Sequence, residues 1–137
     1  MKTLLLGPVV AATALAIAAP ATAHHSFAMF DRNKTTVLAG VVTEFQFSNP
    51  HSWLEIDVPQ AGGAKHWSLE MNNLVGLRRN GWRAKSLVPG DKVQVAMHPM
   101  RDGSAAGQLM TVTLASGKIL YGNGGPPNAA GPGPTVN

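Results

Sequence analysis

The chain has 137 residues and no cysteine, which excludes disulfide-stapled scaffolds, cysteine-based metal sites and cysteine-dependent enzymes. Its 11 Lys and Arg residues outnumber its 7 Asp and Glu residues, but the charges are scattered along the sequence rather than gathered into one block. Together with the export signal described next, this argues against a nucleic-acid partner.

The first 23 residues are typical of a cleaved secretory signal. Lys2 precedes an apolar run from Leu4 to Ala19, and Ala21-Thr22-Ala23 is a small-x-small sequence of the kind that signal peptidase cuts. The run is shorter than the ~20 residues that a membrane-spanning helix requires, and no stop-transfer charges follow it. We therefore expect a periplasmic or secreted protein that begins at His24 and has no membrane anchor in its mature form.

Periodic patterns follow a polar lead-in of residues 24–35. Alternating or β-branched sequences predict five strands, near residues 36–47, 51–58, 65–71, 92–97 and 108–114. A short helix over residues 73–80 is predicted between the third and fourth strands, with Asn72 or Asn73 as its N-cap and Gly81 as its stop. In the first strand the odd-numbered residues from Val37 to Phe47 are expected on one side, with Gly40 marking a bulge or bend.

The order of strand, strand, strand, helix, strand, strand predicts an all-β domain with one short helix over residues 36–121. It is typical of the OB-fold, a five-stranded Greek-key barrel, and an open sandwich of the same strands is the alternative. Residues 122–137, rich in Gly and Pro, predict a disordered tail. The loops after the first and fourth strands flank the usual OB-fold binding face, and they carry residues 49–53 and 98–100.

Several short sequence groups are shared with a known family. They are His24-His25-Ser26-Phe27 with Phe30-Asp31, then Glu44-Phe45, Asn49 to Trp53, Gly81-Trp82, Gly90-Asp91 with Val93, His98-Pro99 and Asp102-Gly103. In these the chain resembles a family of small exported bacterial proteins known as domain of unknown function 6152. The resemblance covers residues 24 to about 120. It implies export and no particular activity.

Four histidines form a candidate copper site. Once cut before His24, the chain would offer the free α-amine and an imidazole of one residue, with His25 beside it, and His51 and His98 lie in the two loops of the binding face. Amine and imidazole nitrogens favour copper(II) in the divalent series. Thioethers of Met29, Met97 and Met100 suit copper(I), although Met97 continues a core-facing pattern. His66 is predicted at the other end of the hairpin and is left out of the site.

A metal-free module that binds a cell-envelope protein or saccharide through Trp53 is the alternative function. Aromatic side chains on an OB barrel stack sugars, but we expect Trp53 to plug a barrel end and Trp82 to close the barrel bottom. No catalytic motif is found: there is no activated-serine pattern, and Glu55 and Asp57, two residues apart on one strand face, are expected to face solvent. The prediction is therefore a binding protein rather than an enzyme.

Overall fold

The structure is a computed structural model that describes residues 27–126. The predicted signal peptide, His24, His25 and most of the predicted tail lie outside these residues. A short 3-10 turn at Phe27–Met29 precedes six strands and one helix within the described chain. They are β1 (Thr36–Gln46), β2 (Trp53–Gln60), β3 (Gly63–Glu70), α1 (Leu74–Arg79), β4 (Lys92–Pro99), β5 (Ala106–Leu114) and β6 (Ile119–Tyr121).

The strands form a closed barrel. β1 pairs with β2 and β4, β2 pairs with β3, and β4 pairs with β5, all antiparallel. A parallel pairing of β3 with β5 closes the sheet, and β6 is added to β5 as an extra strand. The fold is therefore an OB-like five-stranded barrel with one short helix between β3 and β4, as predicted, and the open sandwich is wrong.

The core is made by the inward positions of the alternating strands. Most of these positions in β2 to β5 are almost or completely inaccessible to solvent, and those in β2, β3 and β4 follow the predicted alternation. They are Leu54, Ile56, Leu69, Val93, Val95, Met97, Leu109 and Val112. Met97 is therefore a core residue and is removed from the candidate copper ligands.

The prediction that the odd-numbered residues of β1 all lie on one side is wrong. Val37 is 55 % exposed, whereas Val42 is 1 % exposed. A β-bulge between Val42 and Glu44 shifts the register against β2, so even-numbered residues face inward before it and Phe45 packs on the core after it. Gly40 precedes this bulge, and a Cβ there would lie 2.8 Å from a backbone oxygen of β2.

Helix α1 begins and ends where the sequence predicts. The side chain of Asn73 accepts a hydrogen bond of 2.9 Å from the backbone N–H of Gly76, so Asn73 is the N-cap. Gly81 adopts φ +86°, a left-handed conformation that favours glycine and ends the helix. Trp82 follows, fully buried, and its indole N–H donates to the backbone oxygen of Tyr121 at 2.8 Å. Trp82 is therefore a core residue, in agreement with a role in closing the barrel.

The barrel includes the first residues of the predicted tail. The N–H of Gly122 donates to the backbone oxygen of Met110 at 2.9 Å. The side-chain amide of Asn123 donates to the backbone oxygens of Glu70 at 3.0 Å and Leu109 at 2.9 Å. The predicted tail boundary at residue 122 is therefore too early, because Gly122 and Asn123 pair with the strands.

Candidate functional site

His51 lies in the loop directly before β2, and its ring is held by two acceptors. Nδ1 is 2.9 Å from Oε1 of Glu70 and 3.3 Å from the backbone oxygen of Met71. Because both partners accept, Nδ1 carries a hydrogen, and in the neutral ring the lone pair lies on Nε2. A carboxylate that orients a histidine through one ring nitrogen is a usual support of a metal ligand. The pairing of His51 with Glu70 is of this kind.

Glu70 lies on the outer side of β3 and is nevertheless buried, with 7 % of its side chain exposed. Residues Met29 and Phe30 of the lead-in, together with Met100, line a cavity with it on this part of the barrel. A buried carboxylate is costly unless it is paired and hydrogen-bonded. The hydrogen bond from His51 meets that requirement, so each of the two side chains stabilises the position of the other.

The lead-in is fastened to the end of β4, which explains the burial of Glu70. Phe30, itself 3 % exposed, forms a bridge with Met100. Three hydrogen bonds extend the contact: Asp31 N to Pro99 O at 2.8 Å, Arg101 N to Met29 O at 2.9 Å, and Arg101 Nε to Ala28 O at 3.0 Å. The described part of the lead-in therefore folds back on the barrel beside Glu70.

A cavity of about 120 Å³ lies between the lead-in and the barrel. We name it the lead-in pocket. The surface of the cavity is apolar, and the residues that line it are Met29, Phe30, Trp53, Ser68, Glu70, Met100, Ala106 and Gly107. A small, half-open apolar cavity therefore lies beside Glu70, the partner of His51.

Trp53 faces outward and lines the lead-in pocket. It pairs with Glu70 across β2 and β3, on the side opposite the core residues Leu54 and Leu69. It is partly exposed and lies outside the hydrophobic core. The prediction that Trp53 plugs a barrel end is therefore wrong.

His98 lies within β4 rather than in the loop after it, and its Nδ1 is 2.7 Å from the backbone oxygen of Lys34. In the strand register His98 pairs with Gln108, which in turn pairs with Glu70. Two strand spacings, about 10 Å, therefore separate the backbones of His98 and Glu70. His98 and Glu70 lie on the same outer side of the sheet. The ring of His51 is bonded to Glu70 and that of His98 to Lys34, so joint metal binding by the two histidines stays a prediction.

The N-terminal histidines lie outside the described residues, so the structure does not place His24 or His25. Among residues 27–126, no three His, Asp or Glu side chains are grouped so as to hold a metal ion. A copper site on this face therefore depends on donors from the N-terminus, from methionine, or from both.

His66 belongs to a separate cluster on the β2–β3 hairpin. Its Nδ1 is 2.8 Å from Asp57 and its Nε2 is 3.0 Å from Glu55, and Ser68 donates to the same Glu55 carboxylate at 2.8 Å. The hydrogen bond to Asp57, assisted by Glu55, raises the pKa of His66 above its ordinary value of 6.5. Both ring nitrogens donate, which suits an imidazolium rather than a metal ligand. The two carboxylates face outward as predicted, but they are bonded rather than simply solvated.

Comparison with protein families adds one finding. The model of Family of unknown function (DUF6152) matches residues 12–110. The chain belongs to this family. For DUF6152 the match spans the lead-in, His51, Glu70 and β4, so every element of the candidate site lies within the family's own extent. No curated protein and no solved structure matches the chain significantly. None of the helices in residues 27–126 is long and apolar enough to cross a membrane.

Proposed function

We propose that the chain is an exported copper-binding protein, a carrier or sensor, that binds copper(II) through His51 together with His24 and His25 of the processed N-terminus. The observation that carries the proposal is the hydrogen bond between Nδ1 of His51 and the buried carboxylate of Glu70. A metal-binding imidazole generally donates its other ring N–H to a carboxylate or carbonyl, and Glu70 is that acceptor for His51.

The described lead-in supports a role for the mature N-terminus. Met29 lines the same pocket as Glu70, which holds His51. His24 precedes Met29 by five residues, a stretch that can span at most about 18 Å. Signal cleavage before His24 would therefore deliver an amine and two imidazoles within reach of His51.

The proposed donor set favours copper over other metals. An α-amine and neutral imidazoles are nitrogen donors of intermediate softness, and affinity for such donors peaks at copper(II) in the divalent series. Calcium and magnesium require several oxygen donors, and the only carboxylate at the lead-in pocket already accepts from His51. His98 is the fourth candidate ligand, and its Nδ1 also has an acceptor, the backbone oxygen of Lys34 just before β1.

The test is calorimetric titration of copper(II), with glycine as competitor, into protein that begins at His24. We expect one equivalent to bind with a dissociation constant well below about 1 μM, a binding free energy beyond about −8 kcal/mol. His51→Ala should weaken binding by about tenfold or more. Acetylation of the His24 α-amine should do the same, because the amine is then an amide. His98→Ala reports whether His98 contributes.

His66→Ala is the matched control, since it removes an imidazole whose ring nitrogens are held by Asp57 and Glu55 instead of the site. The proposal predicts that this variant binds copper(II) as the unmodified protein does. Binding no tighter than micromolar, or equal affinities of the His51 and His66 variants, would refute the proposal.

A second candidate is the metal-free module for a cell-envelope protein or saccharide, favoured by Trp53. Its partly exposed indole lines the lead-in pocket, and aromatic faces are typical of sugar-binding surfaces. The test is binding of EDTA-treated protein to an array of cell-wall glycans. Trp67, on β3 and outside the lead-in pocket, is the control. Glycan binding that is lost in Trp53→Ala and kept in Trp67→Ala favours the module. Glycan binding that requires copper favours the metal site.

A further inference from the structure

The structure brings two methionines together at the lead-in pocket. Met29 belongs to the lead-in and Met100 follows β4, 71 positions later in the chain, yet both line the same cavity. The bridge between Phe30 and Met100 and the hydrogen bond from Arg101 N to the oxygen of Met29 produce this juxtaposition. The two thioethers therefore approach one cavity from two fixed segments of backbone.

The surroundings of these methionines differ from those of the core methionines. Met71 and Met97 are completely buried in the hydrophobic core, where methionine commonly fills irregular space. Met29 and Met100 are partly exposed, and Trp53 also lines their cavity. Simple filling of the core accounts for the first pair and not for the second.

These groups together match the needs of a soft monovalent cation. Thioether sulfur is a ligand that selects copper(I). An aromatic face stabilises a nearby cation through its quadrupole, most strongly for tryptophan. Glu70 lines the cavity through apolar atoms only, and its carboxylate is bonded to His51. At about 120 Å³ the cavity exceeds the room that a single ion or water molecule requires.

We propose that the lead-in pocket is a copper(I) site whose ligands are the Sδ atoms of Met29 and Met100, with the indole of Trp53 against the ion. This inference rests on the proposed function, since it places copper on the same face of the barrel. Its ligands, however, are separate from the histidines that bind copper(II). The protein would then hold copper in either oxidation state, with nitrogen donors for copper(II) and thioethers for copper(I).

The test is anaerobic titration of copper(I), against a chromophoric chelator, into protein that begins at His24. Met29→Leu and Met100→Leu should each weaken copper(I) binding by roughly tenfold or more. Met110→Leu is the matched control, because Met110 is partly buried on β5 and lies outside the lead-in pocket. Copper(I) should also quench tryptophan fluorescence, and Trp53→Phe should remove that quenching.

Copper(II) titrations of the same variants separate the two proposals. Unchanged copper(II) affinity in the two pocket variants, with weakened copper(I) affinity, supports the inference. Copper(I) affinity equal to that of Met110→Leu in both pocket variants overturns it, and so does copper(I) binding that only His51→Ala removes. In either of those cases the copper(II) proposal is tested separately, by the copper(II) titration of the unmodified protein and His51→Ala. Thermal melts of each variant confirm that the barrel is folded.

Discussion

Nδ1 of His51 lies 2.9 Å from Oε1 of Glu70, a carboxylate whose side chain is 7 % exposed. The bond joins the loop before β2 to the end of β3 and fixes the orientation of the imidazole. It also makes Glu70 the supporting residue of the candidate site, a role that can be separated from direct metal binding by substitution.

Glu70→Leu should lower both stability and copper(II) affinity. The leucine removes the shorter acceptor of the Nδ1 hydrogen of His51, and loss of a buried hydrogen-bond partner costs about 1–3 kcal/mol. Loss of such a supporting residue weakens metal binding by about 10–100-fold. Glu70→Gln, whose amide oxygen still accepts, should retain more of both. Denaturant unfolding and calorimetry measure the two effects, and equal copper affinity in all three proteins would contradict the assigned role.

Stability should depend on pH through His66. Its pKa is raised, chiefly by the hydrogen bond to Asp57, so the charged cluster stabilises the fold fully below the unfolded-state pKa of about 6.5. The contribution is lost as pH rises through the raised folded-state pKa. NMR titration of the imidazole should give a value above 6.5 that falls toward it in Asp57→Asn. A His66 that titrates at or below 6.5 in the unmodified protein would be inconsistent with the cluster.

The inward face of β1 can be tested with one pair of matched substitutions. Val42→Thr places a hydroxyl in the core at a residue that is 1 % exposed, and should cost about 1–3 kcal/mol in the free energy of unfolding. Val37→Thr makes the same chemical change at a residue that is 55 % exposed, and should change stability by no more than about 0.5 kcal/mol. The reverse ranking would contradict the inward position of Val42 and the outward position of Val37.

Arg101→Ala should loosen the lead-in more than the barrel. The guanidinium bond from Nε to the oxygen of Ala28 is lost, while the backbone bond from Arg101 N to Met29 remains possible. We expect faster amide exchange at Phe30 and Asp31, little change in β2 and β4, and weaker copper(II) binding. Unchanged exchange throughout residues 27–35 would show that this side chain does not hold the lead-in.

Strict alternation explains which parts of the fold could be predicted. In β2 and β4 the buried apolar residues alternate, Leu54 with Ile56 and Val93 with Val95 and Met97, so position in the sequence predicts which side faces the core. β1 is apolar at odd and even positions alike, and the bulge after Val42 reverses its parity. A bulge is set by the pairing of two strands, and the sequence of one strand locates it poorly.

The candidate site was predictable only in its histidines. Residue chemistry singled out His51 and His98, but the alternation of β3 places Glu70 on the outer side, where a carboxylate is normally solvated. Its burial results from contact between residues far apart in the chain, Met29 and Phe30 on one side and Met100 on the other. The lead-in has no periodic pattern, so nothing local to it indicated that contact.

Pulsed EPR of the copper(II)-loaded protein that begins at His24 tests the central claim most directly. The remote nitrogen of a copper-bound imidazole modulates the electron spin echo, so the depth of modulation reports how many imidazoles bind. The account predicts that His51→Ala loses one imidazole contribution and that His66→Ala leaves the spectrum unchanged. Identical spectra for the unmodified protein and His51→Ala would contradict it.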